Sequence, residues 1–272
     1  MIYDDFINFL EESEMARNTI AIYAEACRQF FSQYNEFNKK NFIEFKNKLC
    51  EDKSPKTVNL RITTLNKYAD FIGHPEYKVK KLKIQSKTYV ENIPNDDDYK
   101  KLLEYFLKTN TKHYWMLRFL AGTGVRCSEL LKIKKSDLNR GFAEFHSKGK
   151  ERRILIPKSL IDESKDYTDK LNDNDLLFSS SFNAYHGKKM PLTTRGVNCI
   201  LRESGMKCGI NKDVLHPHAW RHYFAIKMLK ATGNNISLVS SLLGHSSIKT
   251  TAIYTMQSLE EQQKDLNSCM QW

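Results

Sequence analysis

Two arginines, two histidines and one tyrosine lie in three segments that could together act on a phosphodiester. They are Arg126, His218, Arg221, His245 and Tyr254. A phosphodiester resists attack because its negative charge repels nucleophiles and its leaving alkoxide is poor. An enzyme that uses no metal must supply fixed cations at the non-bridging oxygens, a nucleophile, and an acid for the leaving oxygen. A guanidinium binds two oxygens at once and stays charged, so the arginines suit the first task.

The segment 216–222 reads HPHAWRH and is predicted to lie on a helix. Residues three or four apart share one face of a helix, so His218, Arg221 and His222 would project together. A His-x-x-x-His pair can also bind zinc. Here Ala219 stands where the HExxH proteases carry their glutamate base, and no acidic third ligand follows nearby. We therefore predict no metal site, and His222 either orients its neighbours or is a structural histidine.

The third segment carries a histidine and, nine residues later, a tyrosine. His245 follows Gly244, where a predicted helix ends, and this corner could present its ring to a phosphate oxygen. The hydroxyl of a tyrosine has a reference pKa of ~10, so Tyr254 needs nearby cations or a base to act as a nucleophile at neutral pH. Two arginines and two histidines around one phosphate would meet that need.

A lysine is the candidate general acid. Lys148 and Lys150 flank Gly149 in a predicted hairpin turn, from which an ammonium group could pass a proton to a leaving 5′ oxygen. The chemistry of the residues leaves three readings open: Lys148, Lys150, or a solubilising turn that has no catalytic role.

The elements that must position these side chains predict a mainly α fold with a small antiparallel β-hairpin. Residues 1–73 are predicted to form an N-terminal helical domain, residues 74–92 a basic interdomain linker, and residues 93–272 a second, mostly helical domain. The linker carries the lysines Lys78, Lys80, Lys81, Lys83 and Lys87, with no acidic residue between Glu76 and Glu91. It is either a solvated loop or a strap across a phosphate backbone.

The second domain is predicted to be helical except for one segment with the pattern of a β-hairpin. Asn95 is predicted to cap a helix whose first turn carries three aspartates. The later predicted elements are a short helix from Arg126 to Leu131, a hairpin over 142–156, helices over 193–204, 217–231 and 236–243, and a last helix that carries Tyr254. Gly205 is predicted to stop the first of those later helices.

Composition narrows the class of partner. The net charge is +11 and the pI about 9.2, which favours a polyanion such as nucleic acid. The six cysteines form no CxxC pair, so they are interpreted as reduced thiols. No apolar stretch approaches the ~18 residues that span a membrane, and the N-terminus lacks the basic region of a signal peptide. We therefore expect a cytoplasmic protein that makes no use of a membrane.

Three segments in the order found here resemble the catalytic boxes of the tyrosine recombinase, or phage integrase, family. They are GVRCSEL at 124–130, HPHAWRH at 216–222, and LGHSS at 243–247 followed by Tyr254. The segment SKGKER at 147–152 is similar to the family's Lys-Gly hairpin that ends in arginine, which favours Lys148 over Lys150. Trp220 departs from the pattern, since the family more often carries leucine or phenylalanine there. We expect that difference to adjust packing without loss of activity.

The resemblance implies a site-specific DNA recombinase, Xer-like in having two domains. Its core-binding and catalytic domains would grip opposite faces of a specific double-stranded DNA site. Tyr254 would form a 3′-phosphotyrosyl bond without metal, cofactor or ATP, Glu129 and His222 would support the site, and Lys150 and the linker lysines would bind DNA. Family members act as tetramers on DNA, in some cases with accessory DNA-bending proteins, in integration, excision, inversion or resolution of mobile elements.

Three points stay open in the sequence. A type IB topoisomerase-like enzyme would use the same chemistry, but the two-domain layout and the His-Ser-Ser corner favour a recombinase. A catalytically silent DNA-binding protein of the same fold is the alternative from another class, and it predicts the loss of a catalytic position that this chain retains. The tail, residues 257–272, either packs on a neighbouring protomer or frays.

Overall fold

The computed structural model describes residues 3–84, 92–147, 150–185, 188–245, 247–255 and 267. Its contacts divide the chain into two units, Met1–Ser86 and Lys87–Trp272. The described residues are mostly helical, with two small antiparallel hairpins. The predicted mainly α fold with a small antiparallel hairpin is therefore confirmed, and the second hairpin was not predicted. No helix among the described residues is long and apolar enough to cross a membrane.

The first unit consists of four helices around an aromatic core. The helices are α1 (Asp4–Glu12), α2 (Arg17–Phe31), α3 (Lys39–Asp52) and α4 (Pro55–Phe71), followed by a 3₁₀ turn, Pro75–Tyr77. Ser54 caps α4 by accepting the Thr57 amide at 3.3 Å, and proline occupies the first helical position, where no amide donor is needed. Phe6, Phe30, Phe42 and Phe45 are almost completely buried between the helices.

A basic segment that we call the strap, residues 78–83, packs along α4. The side-chain amide of Asn66 donates to the Val79 carbonyl at 3.0 Å and accepts the Val79 amide at 2.9 Å. Asn59 makes the same pair of bonds with Leu82, at 2.9 and 2.8 Å. The first part of the predicted linker therefore belongs to the first unit, while residues 85–91 lie outside the described residues.

The strap lysines stay at the surface because the side chains between them turn inward. Lys78, Lys80, Lys81 and Lys83 are exposed, whereas Val79 is buried. Lys78 forms an ion pair with Asp70 at 2.5 Å. Lys87, the fifth predicted DNA-binding lysine of the linker, lies outside the described residues.

The second unit is a helical body that carries two hairpins. Its elements are α5 (Asp96–Thr109), α6 (Thr111–Thr123), α7 (Cys127–Leu130), α8 (Lys135–Arg140), β1 (Phe142–Ser147), β2 (Lys150–Leu155), α9 (Lys158–Glu163), α10 (Lys165–Thr168), β3 (Ser179–Tyr185), β4 (Lys188–Pro191), α11 (Thr194–Lys207), a 3₁₀ turn Lys212–Val214, α12 (Pro217–Ala231), α13 (Ile236–Leu243) and α14 (Lys249–Ala252). Helices α6 and α12 pack against each other at its centre. Phe119 and Trp220 are fully buried in this core.

Two details of the second unit differ from the sequence predictions. Gly205 does not stop α11, which runs on to Lys207. The glycine instead permits close packing, since a Cβ there would lie 2.1 Å from a methyl group of Leu215. Tyr254 does not lie on a helix, because α14 ends at Ala252 and the Tyr254 amide bonds to the Thr251 carbonyl at 3.0 Å in a tighter turn.

Candidate active site

Arg126 lies at the N-terminus of α7, where a glycine turns the chain out of α6. Gly124 adopts a left-handed conformation, with φ of +61°, and a Cβ there would lie 2.3 Å from the Phe224 ring. The Glu129 carboxylate accepts the Arg126 backbone amide and one guanidinium nitrogen, both at 3.0 Å. The side chain of Arg126 remains 42% exposed, so its guanidinium is both oriented and accessible.

Arg221 is buried, in contrast to Arg126. Its two terminal nitrogens donate to the carbonyls of Gly124 and Leu243, each at 2.6 Å. Its Nε is buried without a partner among the described residues. Burial, reinforced by the charge of Arg126, lowers the pKa of Arg221 to about 10. The guanidinium therefore stays charged at neutral pH and joins the ends of α6 and α13.

The histidines of α12 and of the Gly244 corner lie around this guanidinium. The rings of His218 and His222 meet edge to face with centroids 4.3 Å apart. His245 shares a hydrogen bond with the Thr251 hydroxyl through Nδ1 at 2.8 Å. Burial lowers the pKa of His218, lowers that of His245 to about 4 and that of His222 to about 3, and neighbouring positive charges add to each effect. All three imidazoles are neutral at neutral pH.

Tyr254 lies directly against His222. Its hydroxyl and Nδ1 of His222 share a hydrogen bond of 2.6 Å, and its ring lies nearly parallel to that of His245 with centroids 6.5 Å apart. Tyr254 is 9% exposed. Burial raises the pKa of the phenol, and this outweighs the opposing effect of the Arg221 charge. At neutral pH the tyrosine therefore keeps its proton.

Arg152 also belongs to the site, although sequence reasoning did not select it. Arg152 on β2 donates from Nη1 to Glu129 Oε1 at 2.8 Å and is only 13% exposed. The same carboxylate oxygen accepts the Arg126 bond, so Glu129 joins two guanidinium groups. Burial raises the pKa of Glu129, and the charges of Arg126 and Arg221 oppose that effect. The only signal in the sequence was that Arg152 ends the hairpin segment, and nothing there indicated which face it takes.

A cleft of about 390 Å³ opens beside these residues. Arg126, His218 and Arg221 line it, and so do Thr194, Asn198 and His216, which sequence reasoning did not select as site residues. His216 caps α12 by accepting the Ala219 amide on Nδ1 at 3.1 Å, so its other ring nitrogen carries any further contact. Much of the cleft wall is apolar, and the arginines and histidines add positive and hydrogen-bonding groups that suit a phosphate.

The candidate general acid is not among these contacts. Lys148 lies outside the described residues. The backbone of Lys150 begins β2 and pairs with Ser147, so residues 148 and 149 connect β1 to β2. Among the described residues, no three His, Cys, Asp or Glu side chains cluster as metal ligands would.

Comparisons with known proteins identify the class to which this fold and site belong. A family model, the phage integrase family, matches residues 94–261. Tyrosine recombinase XerA of Pyrococcus furiosus is 33% identical over 262 residues, which cover 93% of this chain and 88% of that protein. The chain therefore belongs to the phage integrase family and is a site-specific tyrosine recombinase of the Xer type.

Solved structures agree with this fold. The crystal structure of XerA recombinase is 25% identical, with a TM-score of 0.54 over 98% of this chain and 97% of that one. A lambda integrase tetramer bound to a Holliday junction shares 15% identity, with a TM-score of 0.72 over 94% of this chain and 78% of that one. At 15% identity, the similarity to lambda integrase shows a shared fold and nothing further.

Proposed function

We propose that Tyr254 is the nucleophile with which this recombinase breaks and rejoins DNA strands. The observation that carries the proposal is the position of its hydroxyl, 2.6 Å from His222 and in the same cluster as Arg221 and His245. Elsewhere in the described chain, the hydroxyls of Tyr167 and Tyr223 bond to a backbone carbonyl and to Asp96. These contacts are typical of packing residues.

The scissile phosphate binds in the cleft beside Arg126. The exposed guanidinium of Arg126 contacts a non-bridging oxygen, and the buried charge of Arg221 lies behind it. His218 and His245, neutral because they are buried, donate ring N–H groups to the developing charge. Donors fixed before the reaction stabilise a transition state without reorganisation, and removal of one such donor costs roughly 10²–10³ in rate.

The covalent step balances without an added reactant. The Tyr254 oxygen bonds to phosphorus, the bond from phosphorus to the 5′ oxygen breaks, and Lys148 gives that oxygen a proton. His222 Nδ1, 2.6 Å from the Tyr254 hydroxyl, takes the phenolic proton as the new bond forms, and the anionic phosphate favours the imidazolium that results. Attack by a 5′ hydroxyl on the 3′-phosphotyrosyl bond reverses the step, so religation needs neither ATP nor metal.

Double-stranded DNA with a specific site is the proposed partner. Lys78, Lys80, Lys81 and Lys83 are exposed along one ordered segment, which suits contact with successive phosphates. Lys87 and Lys150 are proposed as further DNA contacts from the sequence alone. The lambda integrase structure contains a tetramer on a Holliday junction, and we extend that assembly to this chain. The first unit would be the core-binding domain, action would be in the cytoplasm, and accessory DNA-bending proteins are further partners.

A covalent-trapping assay tests the nucleophile. Wild type, Tyr254→Phe and Tyr223→Phe would be incubated with nicked duplexes built from the DNA that flanks the gene, and adducts resolved on a denaturing gel. Tyr223→Phe is the matched control, because it removes a buried hydroxyl that bonds to Asp96 outside the site. We expect adducts for wild type and Tyr223→Phe only, on a peptide that contains Tyr254.

Two results would contradict the proposal. An adduct formed by Tyr254→Phe, or attached to another residue, would assign the nucleophile elsewhere. Specific DNA binding without any adduct from wild type would favour the catalytically silent alternative for this chain.

A further inference from the structure

We propose that Arg152 is a positioning residue that fixes the β1–β2 hairpin against Glu129 and Gly244 and so places the general acid that the hairpin carries. The inference rests on the proposed function, in which Lys148 protonates the leaving oxygen. Lys148 follows Ser147, the last residue of β1, and Arg152 is the third residue of β2. An anchor on the third residue of β2 fixes the described part of the hairpin, to which Lys148 is joined directly along the chain.

Adjacent arginines on β2 take opposite faces of the hairpin. Arg152 points into the protein and bonds to Glu129. Arg153 points outward, is 59% exposed, pairs with Glu144 at 2.7 Å and lies 4.4 Å from the centre of the Phe142 ring. Because successive side chains alternate along a strand, only one of the two arginines can enter the site in a given register of β1 and β2.

Glu129 connects Arg152, the anchor of the hairpin, to Arg126, the residue proposed to bind the phosphate. One of its oxygens, Oε1, accepts from Arg152 at 2.8 Å and from Arg126 at 3.0 Å. The carboxylate is 14% exposed, and ion pairs in such surroundings are strong only when their geometry is well defined. Arg126 keeps its own two bonds to Glu129, from the backbone amide and from Nη1, when Arg152 is absent, so loss of the anchor should free the hairpin while the phosphate contact stays in place.

Gly244 provides the second contact of the anchor. Its φ of +59° is left-handed, and a Cβ at this position would lie 2.5 Å from Nε and 2.9 Å from Cδ of Arg152. Arg152 therefore occupies the space that the missing side chain leaves, directly before His245. Arg126 Nη2 lies 3.5 Å from the Gly244 carbonyl oxygen on the same corner.

The hydrogen bonding of Arg152 is that of a residue that positions its neighbours and does not add to the stability of the fold. Its Nε and Nη2 are buried and have no partner among the described residues. Burying donor groups without acceptors opposes folding. The one nitrogen that is paired is the one that reaches Glu129. Lysine could not reproduce the arrangement, because its ammonium lacks the planar group that lies against Gly244 while bonding to the carboxylate.

Cleavage of two substrates separates positioning of the acid from binding of the phosphate. One is an ordinary nicked duplex, and the other carries sulfur in place of the leaving 5′ oxygen. A thiol has a pKa of ~8.5, so sulfur leaves as a thiolate that needs no acid. On the oxygen substrate we expect Arg152→Ala to be slower by about 100-fold, and on the sulfur substrate to be within about threefold of wild type.

Four further variants serve as controls for this result. Lys148→Ala should show the same pattern of rescue by sulfur, and Arg126→Ala should stay slow on both substrates because it removes a phosphate contact. Arg153→Ala is the matched control, one residue away on the outer face, and should match wild type on both. Arg152→Met, which keeps the aliphatic stem against Gly244, replaces Arg152→Ala if that variant does not fold.

The outcomes are distinct. An Arg152 variant that is slow on both substrates, or as fast as wild type on both, overturns the positioning role. If Lys148→Ala is not rescued by sulfur, or wild type cleaves neither substrate, the proposed function fails before Arg152 is tested.

Discussion

The strap of the first unit and the Gly244 corner of the second unit are both held by side-chain hydrogen bonds, but with opposite chemistry. Asn59 and Asn66 hold the strap through neutral amides, and each satisfies both the N–H and the C=O of one strap residue. The Gly244 corner is surrounded by buried guanidinium groups of Arg152 and Arg221, and three of their nitrogens lack partners among the described residues.

This difference separates a binding surface from a reaction site. A segment whose lysines only need to face a phosphate backbone can be fixed by paired neutral groups, which add to stability. A site that must stabilise developing negative charge needs donors that are held in place before the phosphate arrives, and these are unfavourable in the empty protein. We therefore expect substitutions to lower stability at the strap and to alter activity and stability together at the corner.

Gly244→Ala should give the largest loss of stability. The left-handed conformation and the contact with Arg152 Nε both oppose a side chain there. We expect the free energy of unfolding to fall by about 2–4 kcal/mol, measured from urea denaturation. Gly233→Ala is the matched control, since its φ is +60° and no atom lies within 4 Å of an added Cβ. It should lose only about 1 kcal/mol.

A double substitution sharpens this test. In Arg152→Ala, a methyl group at position 244 no longer meets Nε, so the two substitutions together should destabilise by less than the sum of their single effects. Additive effects would show that the strain of the backbone, and not the contact with Arg152, explains the requirement for glycine.

The sequence predicted much of this site because its signals are local. Caps such as Ser54 and Asn95 mark the helix starts that the structure shows. The spacing of His218 and Arg221 places both on α12, where both line the cleft. Such features depend on neighbours within a few residues, which a single sequence displays.

The contacts that could not be predicted join distant parts of the chain. The face taken by Arg152 depends on the register of β1 with β2 and on packing against Glu129, 23 residues away. The bond of Tyr254 to His222 spans 32 residues. Gly205 carries the usual signal of a helix end, yet its role is to admit Leu215. In each case tertiary packing, and not the local sequence signal, decided the outcome.

Loss of the asparagine contacts should release the strap, and it should lower the free energy of unfolding by less than Gly244→Ala does. Asn59→Ala or Asn66→Ala removes two hydrogen bonds and leaves part-buried backbone groups unpaired, at about 1–2 kcal/mol each. Because the strap contains exposed lysines, trypsin should cut within residues 78–83 about tenfold faster in either variant, as local opening becomes more frequent.

A matched control distinguishes release of the strap from general loosening. Asn41→Ala removes a hydrogen bond of the same length, 2.9 Å from Nδ2 to the Glu36 carbonyl, that does not touch the strap. Its cleavage within 78–83 should equal that of wild type. Equal acceleration in all three variants would show that the Asn59 and Asn66 amides do not hold this segment.

The smallest expected effect is that of His222 on the pH dependence of the free energy of unfolding. Burial lowers the pKa of His222 to about 3 in the folded protein, against ~6.5 in the unfolded chain. Below pH ~6.5 His222 therefore binds a proton in the unfolded chain but not in the folded one. The free energy of unfolding falls as the pH falls from ~6.5 towards 3, and above pH ~6.5 His222 has no effect on it. Between pH 7 and pH 5, wild type should lose about 1–2 kcal/mol more than His222→Gln, which cannot titrate. His245 shifts in the same direction and remains in both proteins, so the difference between the two urea-denaturation profiles isolates His222. Parallel profiles would mean that the ring is protonated in the folded state, and the Tyr254 hydroxyl would then face a charged donor in place of a neutral partner.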